Sequence, residues 1–81
     1  MAKRDKLIAK ALNSPKGLSF KDLQQLLRGA SWTFDHQRGS HQIWYSPTGY
    51  RLSIQEARDG KAKGYQVEQF ITQLESENGN D

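Results

Sequence analysis

Cysteine is absent from the 81-residue chain. That excludes disulfide staples, thiolate metal sites and cysteine nucleophiles, and fits a reducing compartment. Long apolar runs are absent as well. No stretch approaches the roughly 18–20 residues a membrane-spanning helix needs, and residues 1–20 lack the continuous apolar segment of a signal peptide. A soluble, cytoplasmic protein with no membrane partner is therefore expected. No serine stands in a Gly-x-Ser-x-Gly elbow, and the glycines form neither a phosphate-binding loop nor a dinucleotide fingerprint. Histidine is scarce, with only His36 and His41. Their acidic neighbours are Asp35 and, further along, Glu56 and Asp59, a poor set for a metal, so neither metal nor cofactor is expected.

Basic residues are absent after Lys63, and this makes the charge lopsided. The net charge of +3 combines a segment to Lys63 holding all twelve Lys and Arg against five acids, a balance of +7, with an acidic remainder carrying four acids. A basic segment of that kind favours a polyanion, most simply nucleic acid, although a merely solvated basic surface has the same composition. The hydrophobic share is only 35%. One core in one domain is all it can build, with the aromatics supplying much of the buried area.

Periodicity divides the chain into helix, helix, three strands and helix. Leu7, Ile8, Ala11 and Leu12 mark a helix over residues 3–13, ended by Pro15 and Gly17. Ser19 caps a second helix with Asp22 in its first turn, a buried stripe of Phe20, Leu23, Leu26 and Leu27, and a stop at Gly29. Trp32-Thr33-Phe34, Gln42 to Tyr45 and Tyr50 to Ile54 alternate as strands, joined through Gln37 to Ser40 and Ser46 to Gly49. After a polar loop, Val67, Phe70, Ile71 and Leu74 define a last helix starting near Gly64. Residues 76–81 are polar and expected to fray. The expectation is one domain over residues 1–81, core about 18–75, an α+β two-layer sandwich with a three-stranded antiparallel sheet packed against helices.

Histidine is the side chain suited to proton transfer at neutral pH. If residues 37–40 form a four-residue loop, His36 and His41 face each other across the strand pair. With Arg38, Lys61 and Lys63 they resemble what RNA cleavage needs: a base for the 2′-hydroxyl, an acid for the leaving oxygen, and cations for the phosphate. Two surface histidines near a turn are the plainer alternative. Gly39 permits positive φ, and with Ser40 it would create an anion-binding turn beside His41. Trp44 faces either outward, where it would stack a base or anchor a partner, or into the core.

The helix at Phe20-Lys21-Asp22-Leu23, the block Arg38-Gly39-Ser40-His41-Gln42-Ile43 and the later block Asp59-Gly60-Lys61-Ala62-Lys63-Gly64-Tyr65-Gln66-Val67 stand in one order and spacing. Together they resemble the HicA-type toxins of bacterial toxin–antitoxin pairs over about Leu18 to Leu74. The resemblance implies a fold like the double-stranded-RNA-binding domain and endonucleolytic cleavage of mRNA without a metal. It further implies His41 as catalytic residue, a HicB-type antitoxin as partner and a monomeric free toxin. Arg38, Gly39, Ser40, Lys61 and Lys63 are the RNA-binding candidates beside it, and His36 and Trp44 the auxiliary ones. Many members carry Pro-x-His after the third strand, where this chain has Ile54-Gln55-Glu56-Ala57, and proline at the start of the last helix, where it has Gly64. A non-catalytic RNA-binding module and a protein that docks a partner through Trp44 and Tyr45 are the competing readings.

Overall fold

A computed structural model describes residue 9, residues 11–13 and residues 15–78. Most of the helix expected over residues 3–13 lies outside these. Residues 11–13 are helical, with Ala11 buried, and a short 3-10 turn at Pro15–Gly17 follows. Helix α1 spans Phe20–Gly29, strands β1, β2 and β3 span Thr33–Arg38, His41–Tyr45 and Arg51–Gln55, and helix α2 spans Gly64–Asn78. The sheet is antiparallel in the order β1-β2-β3. This is a small α+β domain with helices against a three-stranded sheet.

The ends of α1 follow from local chemistry. Ser19 is its N-cap, its hydroxyl accepting from the Asp22 N–H at 3.0 Å. At the other end the helix stops at Gly29, as expected, with Ala30 as C-cap, and the left-handed residue is Ser31, at φ 68°. The Ser31 N–H reaches the Arg28 carbonyl and the Trp32 N–H that of Leu27, at 3.0 and 2.9 Å. Those two bonds close the helix in the manner usually supplied by glycine, and the Trp32 side chain completes the motif by burial.

Partner residues across antiparallel strands share a face, so the register assigns every strand side chain but Asp35, which stands at a bulge in β1. Phe34, Trp44 and Leu52 align, as do Gln37, Gln42 and Ile54. This face packs on the helices. Trp44, Leu52 and Ile54 join Leu23, Leu26 and Leu27 of α1 and Val67, Phe70 and Ile71 of α2 in one core. Trp32 meets Phe70 edge-on at 5.3 Å and Phe34 meets Trp44 at 5.6 Å. The opposite face carries Thr33, His36, Arg38, His41, Ile43, Tyr45, Arg51, Ser53 and Gln55. Ile43 is buried there, outside the main core.

Two expectations about the last helix change. Residues 76–78 are helical rather than frayed, while residues 79–81 lie outside those described. Glu77 secures that end. Partial burial works against its charge, but hydrogen bonds from Ser46, Gln73 and Thr48 outweigh this and hold its carboxyl below the ordinary glutamate range. Gly64 opens the helix where the resemblance favours proline, and the reason is crowding. A Cβ at Gly64 would stand 2.9 Å from Lys16 Cγ.

Two stability tests follow from these contacts. Ser31→Gly removes a left-handed conformation that costs an L-residue about 1–2 kcal/mol, so urea unfolding should show stabilisation of up to about 1 kcal/mol after the added chain entropy. A carboxylate with a lowered pKa contributes stability that is present at neutral pH and disappears as pH falls through its folded-state value. Thermal melts of Glu77→Gln should therefore lie below wild type at pH 7 and converge with it in strong acid.

Candidate functional site

The hairpin between β1 and β2 sets the geometry. Its loop has two residues, Gly39 and Ser40, because Arg38 pairs directly with His41. Gly39 sits at φ 60°, as the first position of a type II′ turn requires. The four-residue loop expected over residues 37–40 is therefore replaced by a tighter one, and the facing of His36 and His41 is lost. Counting back from the two-residue turn, Gln37 pairs with Gln42 and His36 with Ile43, and a bulge interrupts the ladder only beyond His36, between it and Phe34. His36 remains on the open face, diagonal to His41 at a spacing of roughly 7–8 Å. Its Nδ1–H donates to the Asp35 carboxylate at 2.6 Å. Among the described residues no group of three or more His, Cys, Asp or Glu is placed to hold a metal ion, and no helix is long and apolar enough to cross a membrane.

His41 is exposed at the start of β2. Its Nδ1 lies 3.2 Å from the Ser53 hydroxyl on the neighbouring strand, while its Nε2 has no partner among the described residues. One ring nitrogen is thus oriented by the protein and the other is open for proton transfer. Gln55, across from His41 on β3, organises the surroundings. Its side-chain amide donates to the Ser40 hydroxyl at 3.1 Å, its carbonyl accepts from Lys63 Nζ at 3.2 Å, and its backbone N–H donates to Gln66 Oε1 at 2.9 Å. Three residues singled out in the sequence, Ser40, His41 and Lys63, therefore meet at one end of the sheet. Arg38 is exposed on the same face, directly across from His41.

Lys61 stands apart. The segment around it pairs with the entry to α1, through an isolated bridge to Ser19 and a bond from the Phe20 N–H to the Gly60 carbonyl at 3.0 Å. Its side chain is exposed, and the same segment also pairs with the residues after β3, through the Glu56–Ala62 bridge. Trp44 is corrected more sharply. It is only 1% exposed, with Arg28 over its ring at 5.5 Å and its indole N–H on Gln42. Neither base stacking nor partner anchoring is open to it, because a chain with so little apolar material needs its largest side chain in the core. Tyr45, its neighbour on the open face, is half-buried.

Ser53, Gln55, Arg51 and Tyr65 were not singled out in the sequence. The alternation of Leu52 and Ile54 already places Arg51, Ser53 and Gln55 on the open face. What was missing was the register, which a two-residue reading of Gly39-Ser40 would have supplied. Tyr65 lies outside such reasoning because α2 is placed by tertiary packing. With Arg51, Ser53, Gln66, Gln69 and His41 it lines an open recess of about 290 Å³ along the free edge of β3.

Compared with protein-family models, curated proteins and solved structures, the chain matches none.

Ser53 orients the His41 ring through its hydroxyl. Replacing it in Ser53→Ala should shift the His41 tautomer ratio, read from ring ¹⁵N chemical shifts, and leave the backbone amide spectrum otherwise nearly unchanged.

Proposed function

We propose that the protein is an endoribonuclease toxin that cleaves mRNA in the cytoplasm without a metal. His41 is its catalytic residue and a HicB-type antitoxin its neutralising partner. The observation that supports this most directly is the His41 ring, held at Nδ1 by Ser53 and open at Nε2, beside the Ser40–Gln55–Lys63 chain. The reading extends to a fold like the double-stranded-RNA-binding domain, for which the order helix, three antiparallel strands, helix is the expected core.

The chemistry requires little apparatus. Nε2 of neutral His41 takes the proton of a ribose 2′-hydroxyl, and the 2′-oxygen forms a bond to phosphorus as the bond to the 5′-oxygen breaks. The departing oxygen takes a proton from the protonated ring or from water, leaving a 2′,3′-cyclic phosphate and a 5′-hydroxyl. Arg38 and Lys63 supply positive charge for the phosphate, where fixed cations are more effective than mobile water. The Gly39-Ser40 turn lets backbone and phosphate approach closely.

Arg38 and Arg51 on the open face would hold RNA even without cutting it, so a binding module of the same fold is the second reading. Incubation of purified protein with RNA separates the two. Wild type is expected to generate cyclic-phosphate ends in the presence of EDTA, and His41→Ala to lose about 10²–10⁴-fold in rate while retaining its fold and RNA affinity. Intact RNA after prolonged incubation with wild type would favour the binding module. Cleavage preserved in His41→Ala would remove His41 from the mechanism.

A further inference from the structure

We propose that the recess between β3 and the first turns of α2 binds one unpaired nucleotide of a single-stranded RNA, its base stacked on Tyr65 and its phosphate on Arg51. The location beside the scissile bond rests on the nuclease reading, whereas binding itself does not.

Tyr65 is 60% exposed in a chain that spends its other large rings mostly on the core. Its hydroxyl accepts from Gln66 Nε2 at 3.3 Å, and Gln66 is itself buried and bonded to the Gln55 backbone. The ring is therefore tethered at one end while the rest of it stays in solvent. Arg51 lines the same recess, exposed on the open sheet face, and has no ion-pair partner among the described residues. The rest of the lining is His41, Ser53, Gln66 and Gln69 with Tyr50 and Leu52, and no acid. An aromatic platform next to an unpaired cation and amide side chains is what single-stranded nucleic acid requires, since every base has a π-face and every link a phosphate. A duplex keeps its base faces stacked inside and cannot present one to Tyr65. His41 lines the same recess, so a nucleotide seated there has its sugar–phosphate link near the open Nε2.

A larger recess of about 560 Å³ lies on the other side of the hairpin turn, but it is less suited to RNA. The carboxylate of Glu56 lines it, the Gln42 carbonyl is committed to Gln24 and Trp44, and the Gln37 amide to the Gly39 carbonyl.

A fluorescent 2′-O-methyl RNA of about eight nucleotides, within the range one small fold covers, cannot be cut by attack of a 2′-hydroxyl and reports binding alone. Tyr65→Ala should weaken its binding roughly ten- to a hundredfold, and Tyr65→Phe by less than about twofold, because the stacking face is kept. Arg51→Ala should weaken binding and reduce the slope of log affinity against log salt by about 0.7, the value for one phosphate on a single strand. Arg58→Ala, in the other recess, should do neither, and a duplex of the same sequence should compete poorly. Circular dichroism melts verify that each variant folds. Unchanged affinity in folded Tyr65→Ala, or equal competition by duplex, overturns the proposal. RNA bound through Tyr65 but never cut would sink the nuclease reading and leave this one standing. Cleavage with an unchanged KM in Tyr65→Ala would do the reverse.

Discussion

The two-residue turn at Gly39 and Ser40 is the constraint on which the rest depends. It pairs Arg38 with His41, and the next strand continues the row to Gln55. Side chains alternate with period two, so a slip of one residue would exchange the faces, turning Trp44 out and His41 in. Burial penalises that slip heavily, since Trp44, Leu52 and Ile54 would all lose the core. The apolar residues of one face thus hold the catalytic candidate on the other.

Covering one face only is the economical use of scarce apolar material. The helices supply Leu23, Leu26, Leu27, Val67 and Phe70, and the sheet returns Trp44 and its neighbours. The other face is left to His36, Arg38, His41, Arg51 and Ser53, with Ile43 its buried apolar member. A polar, cationic sheet face is therefore a consequence of a small core as well as the proposed binding surface. The edges matter as much as the faces. The Gln66 side-chain carbonyl accepts from the Gln55 backbone N–H, satisfying part of the edge of β3 and drawing the start of α2, with Tyr65, alongside the strand.

Gln55 links these levels. It belongs to β3 by register, to the hairpin turn through Ser40, to the loop before α2 through Lys63, and to α2 through Gln66. Its neutral side-chain amide serves both Ser40 and Lys63 because it donates and accepts at once, while its backbone N–H serves Gln66. Where the HicA-type resemblance expects a Pro-x-His element just after β3, this chain ends the strand with that amide. His36, the auxiliary candidate, is occupied with Asp35 on the far edge strand.

The sequence by itself determined the element order, the cap at Ser19, the buried stripes of both described helices, the basic character of the first three quarters of the chain and the prominence of His41. These rest on local chemistry: periodicity, capping and composition act over a few residues and can be read without partners. The tertiary structure decided the hairpin length and with it the offset of His36 from His41, the burial of Trp44, and the left-handed Ser31 that closes α1 just after Gly29. Each of these turns on which strand register or helix placement buries the most apolar surface with every polar group satisfied. That is a property of the whole chain, which no single segment carries. Gly39-Ser40-His41 was legible as a motif, but Ser53, Gln55 and Tyr65 become its neighbours only once the sheet and α2 are packed.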